Sequence, residues 1–132
     1  MLTIDENQSA ADTATLMADD QLARGYVIVL SKGSPVGIVT QRDLINKILA
    51  TGTTRRVLVT EIMSSPIISI DPDEDLLKAS EIMREHNVRK LPVIRDGIIY
   101  GIVTVRDIAQ KIGAYVDKSI RDIVRWTAPL GM

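Results

Sequence analysis

Two four-residue segments of the chain carry side chains that could bind a ligand together. Residues 40–43 read Thr-Gln-Arg-Asp, and residues 104–107 read Thr-Val-Arg-Asp. A hydroxyl and a guanidinium bind phosphate oxygens, and a carboxylate accepts two hydrogen bonds from a sugar diol. We call residues 40–43 the first junction and residues 104–107 the second junction.

Each junction follows an apolar run and is predicted to open a helix. A helix N-terminus presents free N–H groups and a positive dipole end, which attract phosphate. The same Thr-x-x-Asp spacing is typical of a capping box, in which both side chains bond only to their own backbone. A capping box prefers Glu or Gln at its last position, so Asp in both junctions favours a ligand. Arg24 and Arg89 precede buried strands; phosphate binding and a surface salt bridge are both consistent with them.

The junctions belong to an internal repeat. Residues 37–44 read GIVTQRDL and residues 101–108 read GIVTVRDI, with six identities 64 positions apart. Farther towards the N-terminus, residues 23–29 lie over 88–94, residues 16–17 over 82–83, and residues 3–5 over 69–71. The offset falls from 66 to 64, which indicates small insertions or deletions in loops.

Both repeats show the element order β-α-β-β-α. In the second, a strand over residues 67–70 is followed by a helix with Asp71 as N-cap and Pro72 at its first position. A strand over 91–94, a tight turn and a strand over 98–103 form a hairpin, and a helix follows Thr104. The first repeat is predicted to have a longer hairpin turn, over residues 31–35.

A repeat of this size buries little apolar surface alone, so we expect the two copies to share a core. The predicted fold is α+β, with the repeats packed sheet to sheet in pseudo-twofold symmetry. The expected boundaries are residues 1–58 for the first repeat, 59–66 for a lead-in segment, and 67–113 for the second repeat. Residues 119–124 are similar to the lead-in, and the C-terminal segment that contains them, residues 114–132, is expected to cover the first repeat or a dimer surface.

The composition excludes several classes of protein. The chain has 132 residues, 16 Lys and Arg, 17 Asp and Glu, no Cys and one His. Disulfides, zinc-thiolate sites, a Cys nucleophile and a multi-histidine metal site are therefore excluded. His86 is interpreted as a cation at a helix C-terminus, and no phosphate loop is found, so we expect no catalysis. The near-neutral charge argues against nucleic acid, and the absence of a long apolar run or signal peptide predicts a cytoplasmic protein.

The doubled GIVTxRD[LI], the VRKLPV at residues 88–93 and the IMSSPII at residues 62–68 resemble a tandem pair of cystathionine-β-synthase-type (CBS) domains, also called a Bateman module. The resemblance implies regulatory binding of an adenosine-containing ligand (AMP, ADP, ATP or S-adenosylmethionine) between the copies, with no catalytic cofactor.

The resemblance also implies which residues bind. Carboxylates would take the ribose hydroxyls, threonines the ribose or phosphate, and arginines the phosphate, while the backbone at residues 67–68 and 1–2 would edge the adenine between aliphatic walls. The residues concerned are Asp43 and Asp107; Thr40 and Thr104; Arg24, Arg42, Arg89 and Arg106; Ile67 and Ile68; and Ile38, Val93 and Ile102.

The partners implied are a second copy of the chain, in a homodimer, and a separate effector protein. Apolar residues at 57–59 and at 120, 123, 124 and 126 are candidates for the dimer contact, and core burial is the alternative. Two other functions stay open: a structural dimerisation module with decayed sites, and a polynucleotide-binding module.

Overall fold

The computed structural model describes residues 1–113 and confirms the α+β class and the presence of two repeated units. The order β-α-β-β-α is complete in the first repeat, whereas the second has α-β-β-α without the predicted first strand. The first repeat comprises β1 (Thr3–Asp5), α1 (Ala10–Asp19), β2 (Tyr26–Ser31), β3 (Ser34–Thr40) and α2 (Gln41–Leu44), which continues into a π-helical turn (Ile45–Leu49). After a 3₁₀ turn (Val59–Glu61), the second comprises α3 (Leu76–His86), β4 (Lys90–Arg95), β5 (Ile98–Thr104) and α4 (Val105–Gly113).

By contacts, the chain divides into two compact units. The first unit contains residues 1–73 and 92–102, and the described part of the second contains residues 74–91 and 103–113. The domain boundaries drawn from the sequence and the sheet-to-sheet packing of the repeats stay predictions. The predicted covering role of residues 114–132 lies outside the described residues.

The core of the first unit is aliphatic. β1 runs parallel to β2, with Ile4 beside Val29, and β2 runs antiparallel to β3. The core also includes residues from the segment between the repeats: Val57, Val59 and Ile62 are all buried. The dimer-contact interpretation is therefore wrong for Val57 and Val59, and core burial is the arrangement observed.

Both hairpins turn within two residues. Lys32 and Gly33 have φ values of 50° and 82°, and Asp96 and Gly97 have φ values of 51° and 75°. Two consecutive left-handed residues are typical of a type I′ turn, whose twist matches that of the strands. The longer turn predicted for residues 31–35 is wrong, because Ser31 and Ser34 already pair with each other and a register shift between Val29 and Leu30 takes up the extra residue.

The backbone also corrects the overlay of the two repeats. The carbonyl of Gly25 accepts the N–H of Gln41 at 3.1 Å, and the carbonyl of Arg89 accepts the N–H of Val105 at 3.0 Å. Each residue of the second pair lies 64 positions after the corresponding residue of the first. Gly25, and not Arg24, is therefore the counterpart of Arg89, and the overlay of residues 23–29 on 88–94 is one residue out of register.

The second repeat begins differently from the prediction. α3 begins at Leu76, with Asp75 as the N-cap whose carboxylate accepts the N–H of Lys78 at 2.9 Å. Asp71 is not the cap, because its carboxylate accepts the N–H of Asp73 and pairs with Arg95. In place of a strand over residues 67–70 there is a single parallel bridge, between Ile70 and Val93.

The described part of the second unit is built around α3 and α4. Ala79 and Met83 of α3, Leu91 of β4 and Ile108 of α4 are its buried apolar residues. α3 ends with His86 in its last turn, as predicted, and Asn87 follows in the left-handed conformation. Within residues 1–113, no helix is long and apolar enough to cross a membrane.

Candidate ligand site

The first junction lies where β3 passes into α2. The carboxylate of Asp43 accepts the backbone N–H of Thr40 at 2.9 Å and the hydroxyl of Thr40 at 3.2 Å through the same oxygen, Oδ2. Its other oxygen, Oδ1, lies 3.4 Å from the Nζ of Lys47. The side chain of Asp43 is only 15% exposed. Both oxygens of this carboxylate are thus occupied by groups of the protein.

Lys47 lies four residues after Asp43, outside the first junction, and its contact with this carboxylate was not predicted from the sequence. Besides the ion pair with Asp43, its Nζ donates to the backbone carbonyl of Ile62 at 2.9 Å. A lysine four residues after an aspartate on a helix is a recognisable signal, because side chains at that spacing are neighbours. The bond to Ile62 has no such local signal, since 15 positions separate the two residues.

The second junction is a reciprocal capping box. The carboxylate of Asp107 accepts the N–H of Thr104 at 2.9 Å through Oδ2, and the hydroxyl of Thr104 accepts the N–H of Asp107 at 3.0 Å. Asp107 is exposed, and within residues 1–113 its Oδ1 has no bonding partner. The hydroxyl hydrogen of Thr104 is not used in this box, so it is available to a ligand. At both junctions the aspartate thus accepts the N–H of the threonine, but an N–H donates to the threonine hydroxyl only at the second. Within residues 1–113 this box occupies only one carboxylate oxygen of Asp107.

The predicted arginines have different surroundings. Arg89 and Arg106 are exposed and make no ion pair within the described part of the chain, and the same holds for Arg42. Arg24 instead forms a two-bond ion pair with Asp20, with Nε and Nη2 at 3.0 and 2.9 Å from its carboxylate oxygens. The hydrogen bonds from Arg24 lower the pKa of Asp20, whose side chain is 3% exposed, and the pair raises the pKa of Arg24. For Arg24, the salt-bridge alternative is the arrangement observed.

The predicted aliphatic walls are half-buried residues of the first unit. Ile38 faces Ile28 in the β2–β3 pairing, and Val93 bridges to Ile70. Ile102 lies on β5, while Ile67 and Ile68 lie on irregular backbone before that bridge. The contact of these residues with a ligand stays a prediction.

The lead-in packs against the edge of β3. The N–H of Ile38 donates to the carbonyl of Ser64 at 3.2 Å, and the N–H of Ser64 donates to the carbonyl of Ile38 at 2.9 Å. A Cβ on Gly37 would lie 2.6 Å from the Sδ of Met63 and 2.9 Å from the carbonyl oxygen of Ser64. Glycine is required at position 37 because the lead-in approaches the strand this closely.

A groove of about 580 Å³ opens on the first unit, between α1 and the helical segment that follows β3. Small residues of α1 line one wall, and Leu44, Ile45, Ile48 and Leu49 line the other. Gln41 reaches its edge, but Thr40, Arg42 and Asp43 are not among the lining residues. The groove is a feature separate from the predicted ligand residues.

Metal binding has no candidate site in residues 1–113, since no three His, Asp or Glu residues there are placed to hold an ion. Every buried side-chain nitrogen or oxygen in the same residues has a hydrogen-bond partner.

The sequence profile of the CBS domain family matches residues 1–50 and 59–114, which together are most of the chain. The chain belongs to the CBS-domain family. It is 32% identical over 107 residues to the CBS domain-containing protein YhcV of Bacillus subtilis, covering 81% of this chain and 75% of that protein. It is also 34% identical over 112 residues to an uncharacterised protein of Methanopyrus kandleri, covering 83% of this chain but 57% of that protein. The chain thus spans little more than half the length of this second relative.

Solved structures agree with this membership. A CBS-domain protein from Burkholderia ambifaria has a TM-score of 0.78 and 26% identity, covering 91% of this chain and 88% of that one. A hexameric CBS-CP12 protein from bloom-forming cyanobacteria has a TM-score of 0.74 and 29% identity, covering 84% and 65%. A CBS-domain protein from Pyrobaculum aerophilum, complexed with AMP, has a TM-score of 0.73 and 22% identity over 86% and 91%, and shows a common fold.

Proposed function

We propose that this CBS-domain protein is a regulatory module that binds an adenosine-containing ligand, AMP, ADP, ATP or S-adenosylmethionine, without turning it over. The observation that carries the proposal is the second junction. Within residues 1–113, one oxygen of the Asp107 carboxylate and the hydroxyl hydrogen of Thr104 have no partner there, and the exposed Arg106 lies in the first turn of α4. The AMP complex of a protein with the same fold supports the choice of ligand class.

Each group of the second junction suits one part of a nucleotide. Asp107 has a free Oδ1 that would accept the ribose hydroxyls, and Thr104 would donate its hydroxyl hydrogen to the ribose or a phosphate oxygen. Arg106 lies in the first turn of α4, and the carbonyl of Arg89 is bonded to the first residue of that helix. The guanidinium of Arg106 and the positive end of the helix dipole both favour a phosphate there. Thr40, Arg42 and Asp43 are the counterparts in the first repeat.

A regulatory role without catalysis is supported by the chemistry available. The chain has a single histidine, at the end of α3, and no cysteine nucleophile. An inosine-5'-monophosphate dehydrogenase of Nitrosopumilus maritimus is 33% identical to the chain, but the match covers 22% of that enzyme. The proposal therefore includes a separate effector protein that responds to the bound state, in the cytoplasm.

Calorimetric titration with AMP, ADP, ATP and S-adenosylmethionine tests the proposal. We expect saturable heat with at least one of them and no product after prolonged incubation. The absence of heat with all four at about millimolar concentration, equivalent to a binding free energy weaker than about −4 kcal/mol, would favour a purely structural module.

The groove on the first unit supports the second part of the proposal, that the chain forms a homodimer. One wall is a row of small residues on α1, and the other carries protruding aliphatic side chains such as Leu49, which is 74% exposed. In the proposed twofold dimer, the aliphatic ridge of each copy would lie in the furrow of the other. The hexameric relative shows that proteins of this family assemble.

Light scattering after size exclusion tests this surface. Leu49→Glu is expected to convert the dimer to a monomer, because it places a charge at a buried apolar contact. Leu22→Glu is the matched control, since Leu22 is 73% exposed and does not line the groove. A Leu49→Glu variant with unchanged mass in solution would contradict this part of the proposal.

A further inference from the structure

We infer that the first junction is a structural latch on the lead-in, so that each chain binds a single nucleotide, at the second junction. The inference rests on the proposed function for its ligand. It goes beyond that function by assigning different roles to two segments whose sequences differ at one position in four.

The carboxylates of the two junctions differ in burial and in hydrogen bonding. Asp43 is mostly buried and uses Oδ2 for two bonds to Thr40 and Oδ1 for the ion pair with Lys47. Asp107 is exposed and, within residues 1–113, uses only Oδ2, in a single bond to the N–H of Thr104. A ribose that approached Asp43 would have to displace an ammonium group, whereas no described side chain pairs with Oδ1 of Asp107.

The threonine hydroxyls of the two junctions also differ in their hydrogen bonds. Thr40 donates its hydroxyl hydrogen to Asp43, so this hydrogen is already used within the protein. Thr104 accepts a hydrogen bond from Asp107, so its own hydrogen is free to donate. The second junction therefore offers both a donor and an acceptor to a ligand, and the first junction offers neither without rearrangement.

Lys47 also binds the backbone of the lead-in. Its Nζ donates to the carbonyl of Ile62, a core residue that is 2% exposed. From Ile62 the lead-in continues into Met63, which packs against Gly37, and Ser64, which bonds to Ile38 in both directions. Lys47 thus joins the carboxylate of the first junction to the segment that seals the edge of β3.

Lys111 is the natural comparison, because it lies 64 positions after Lys47 and four after Asp107. It is exposed and has no hydrogen bond or ion pair within residues 1–113. The latch is therefore present at the first junction and absent from the described surroundings of the second. The same residue type at the same spacing has two different environments.

Calorimetry with AMP and Asp107→Asn tests the assignment of the site. For the unsubstituted chain we expect one nucleotide bound per chain. Asp107→Asn is expected to weaken AMP binding about tenfold or more. The titration of this variant should show no second binding site. Two nucleotides per chain, or a residual site of unchanged affinity in the variant, would overturn the inference.

Lys47→Met and Lys111→Met test the latch independently of any ligand. We expect Lys47→Met to speed hydrogen exchange of the Ser64 amide by about tenfold and to lower the melting temperature, because the lead-in loses its bond at Ile62. Lys111→Met is expected to change neither. Equal exchange rates in the two variants would refute the latch.

The two tests separate the proposals. If no nucleotide binds the unsubstituted chain, the proposed function fails, and with it the single-site assignment, while the exchange experiment still decides the latch. If nucleotide binds but both repeats contribute equal sites, the proposed function stands and the inference fails.

Discussion

The two junctions have almost the same sequence and different chemical states. Residues 40–43 and 104–107 differ only in Gln41 against Val105, yet Asp43 is bonded through both oxygens and Asp107 through one. The difference comes from residues outside the motif: Lys47 joins Asp43 to the lead-in, whereas no side chain within residues 1–113 pairs with Oδ1 of Asp107. A motif of this length therefore predicts a local hydrogen-bond pattern, but its availability to a ligand depends on tertiary neighbours.

The helices that follow the junctions differ as well. α2 is regular for four residues and then widens into a π-helical turn, in which the N–H of Ala50 bonds to the carbonyl of Ile45 at 2.8 Å. α4 is regular over nine residues. A π-helical turn changes which side chains share a face, and here it accompanies the exposed ridge of Ile45 and Leu49 beside the groove.

The largest expected effect concerns the glycine that precedes each junction. Gly37→Val should destabilise the protein by about 3 kcal/mol, because its side chain would collide with Met63 and with the backbone of Ser64. Gly101→Val is the matched control, since no described residue lies within 4 Å of a Cβ there. Urea denaturation measures both. Equal losses would show that the close approach of the lead-in to β3 is not what distinguishes the repeats.

A smaller difference is expected between the two carboxylates. Asp107→Ala should cost about 1 kcal/mol of stability through loss of the cap. Asp43→Ala should cost about 2 kcal/mol, because it also leaves Lys47 and the Thr40 hydroxyl without their partner. Chemical denaturation gives the two free energies of unfolding. If Asp107→Ala proved the more destabilising variant, the latch would lose its energetic basis.

The loss of nucleotide affinity should have the opposite order, with Asp107→Ala causing a larger loss than Asp43→Ala. Asp107→Ala should weaken nucleotide binding by about 1–3 kcal/mol, the range for a charge-assisted hydrogen bond that is lost. Isothermal titration gives this difference directly. An unchanged affinity would mean that Asp107 is only a capping residue and that the ligand, if bound, lies elsewhere.

The smallest expected effect compares Arg24 with Arg89. The pKa of Asp20 is lowered by its hydrogen bonds from Arg24, so the folded state binds fewer protons at this group than the unfolded chain. This contribution to stability is complete above the ordinary carboxyl pKa of about 4 and is lost as the pH falls through the lower pKa of the folded state. Asp20→Asn should flatten the acid limb of a stability–pH curve. Arg89→Gln, which has no ion pair within residues 1–113, should leave its shape unaltered.

Much of the fold was predictable from the residues. The six identities in GIVTxRD located both junctions, and Gly33 and Gly97 marked both hairpins. The start of α3 was not predictable from the nearest capping pattern, because both Asp71 and Asp75 are possible N-caps. The carboxylate of Asp71 instead pairs with Arg95 of β4, and Asp75 caps the helix. The overlay of Arg24 on Arg89 failed for a related reason: residue identity outweighed backbone register, which only the bonds of Gly25 and Arg89 reveal.

The sequence by itself determined the duplicated plan, the aliphatic core and the bond from the threonine N–H to the aspartate in each junction, because these depend mainly on patterns of nearby residues. The tertiary structure alone decided which carboxylate is free, since the bond from Lys47 to Ile62 spans the loop that leads to the second repeat. Short-range patterns specify local hydrogen bonds. The burial of a polar group depends on which distant segment packs over it.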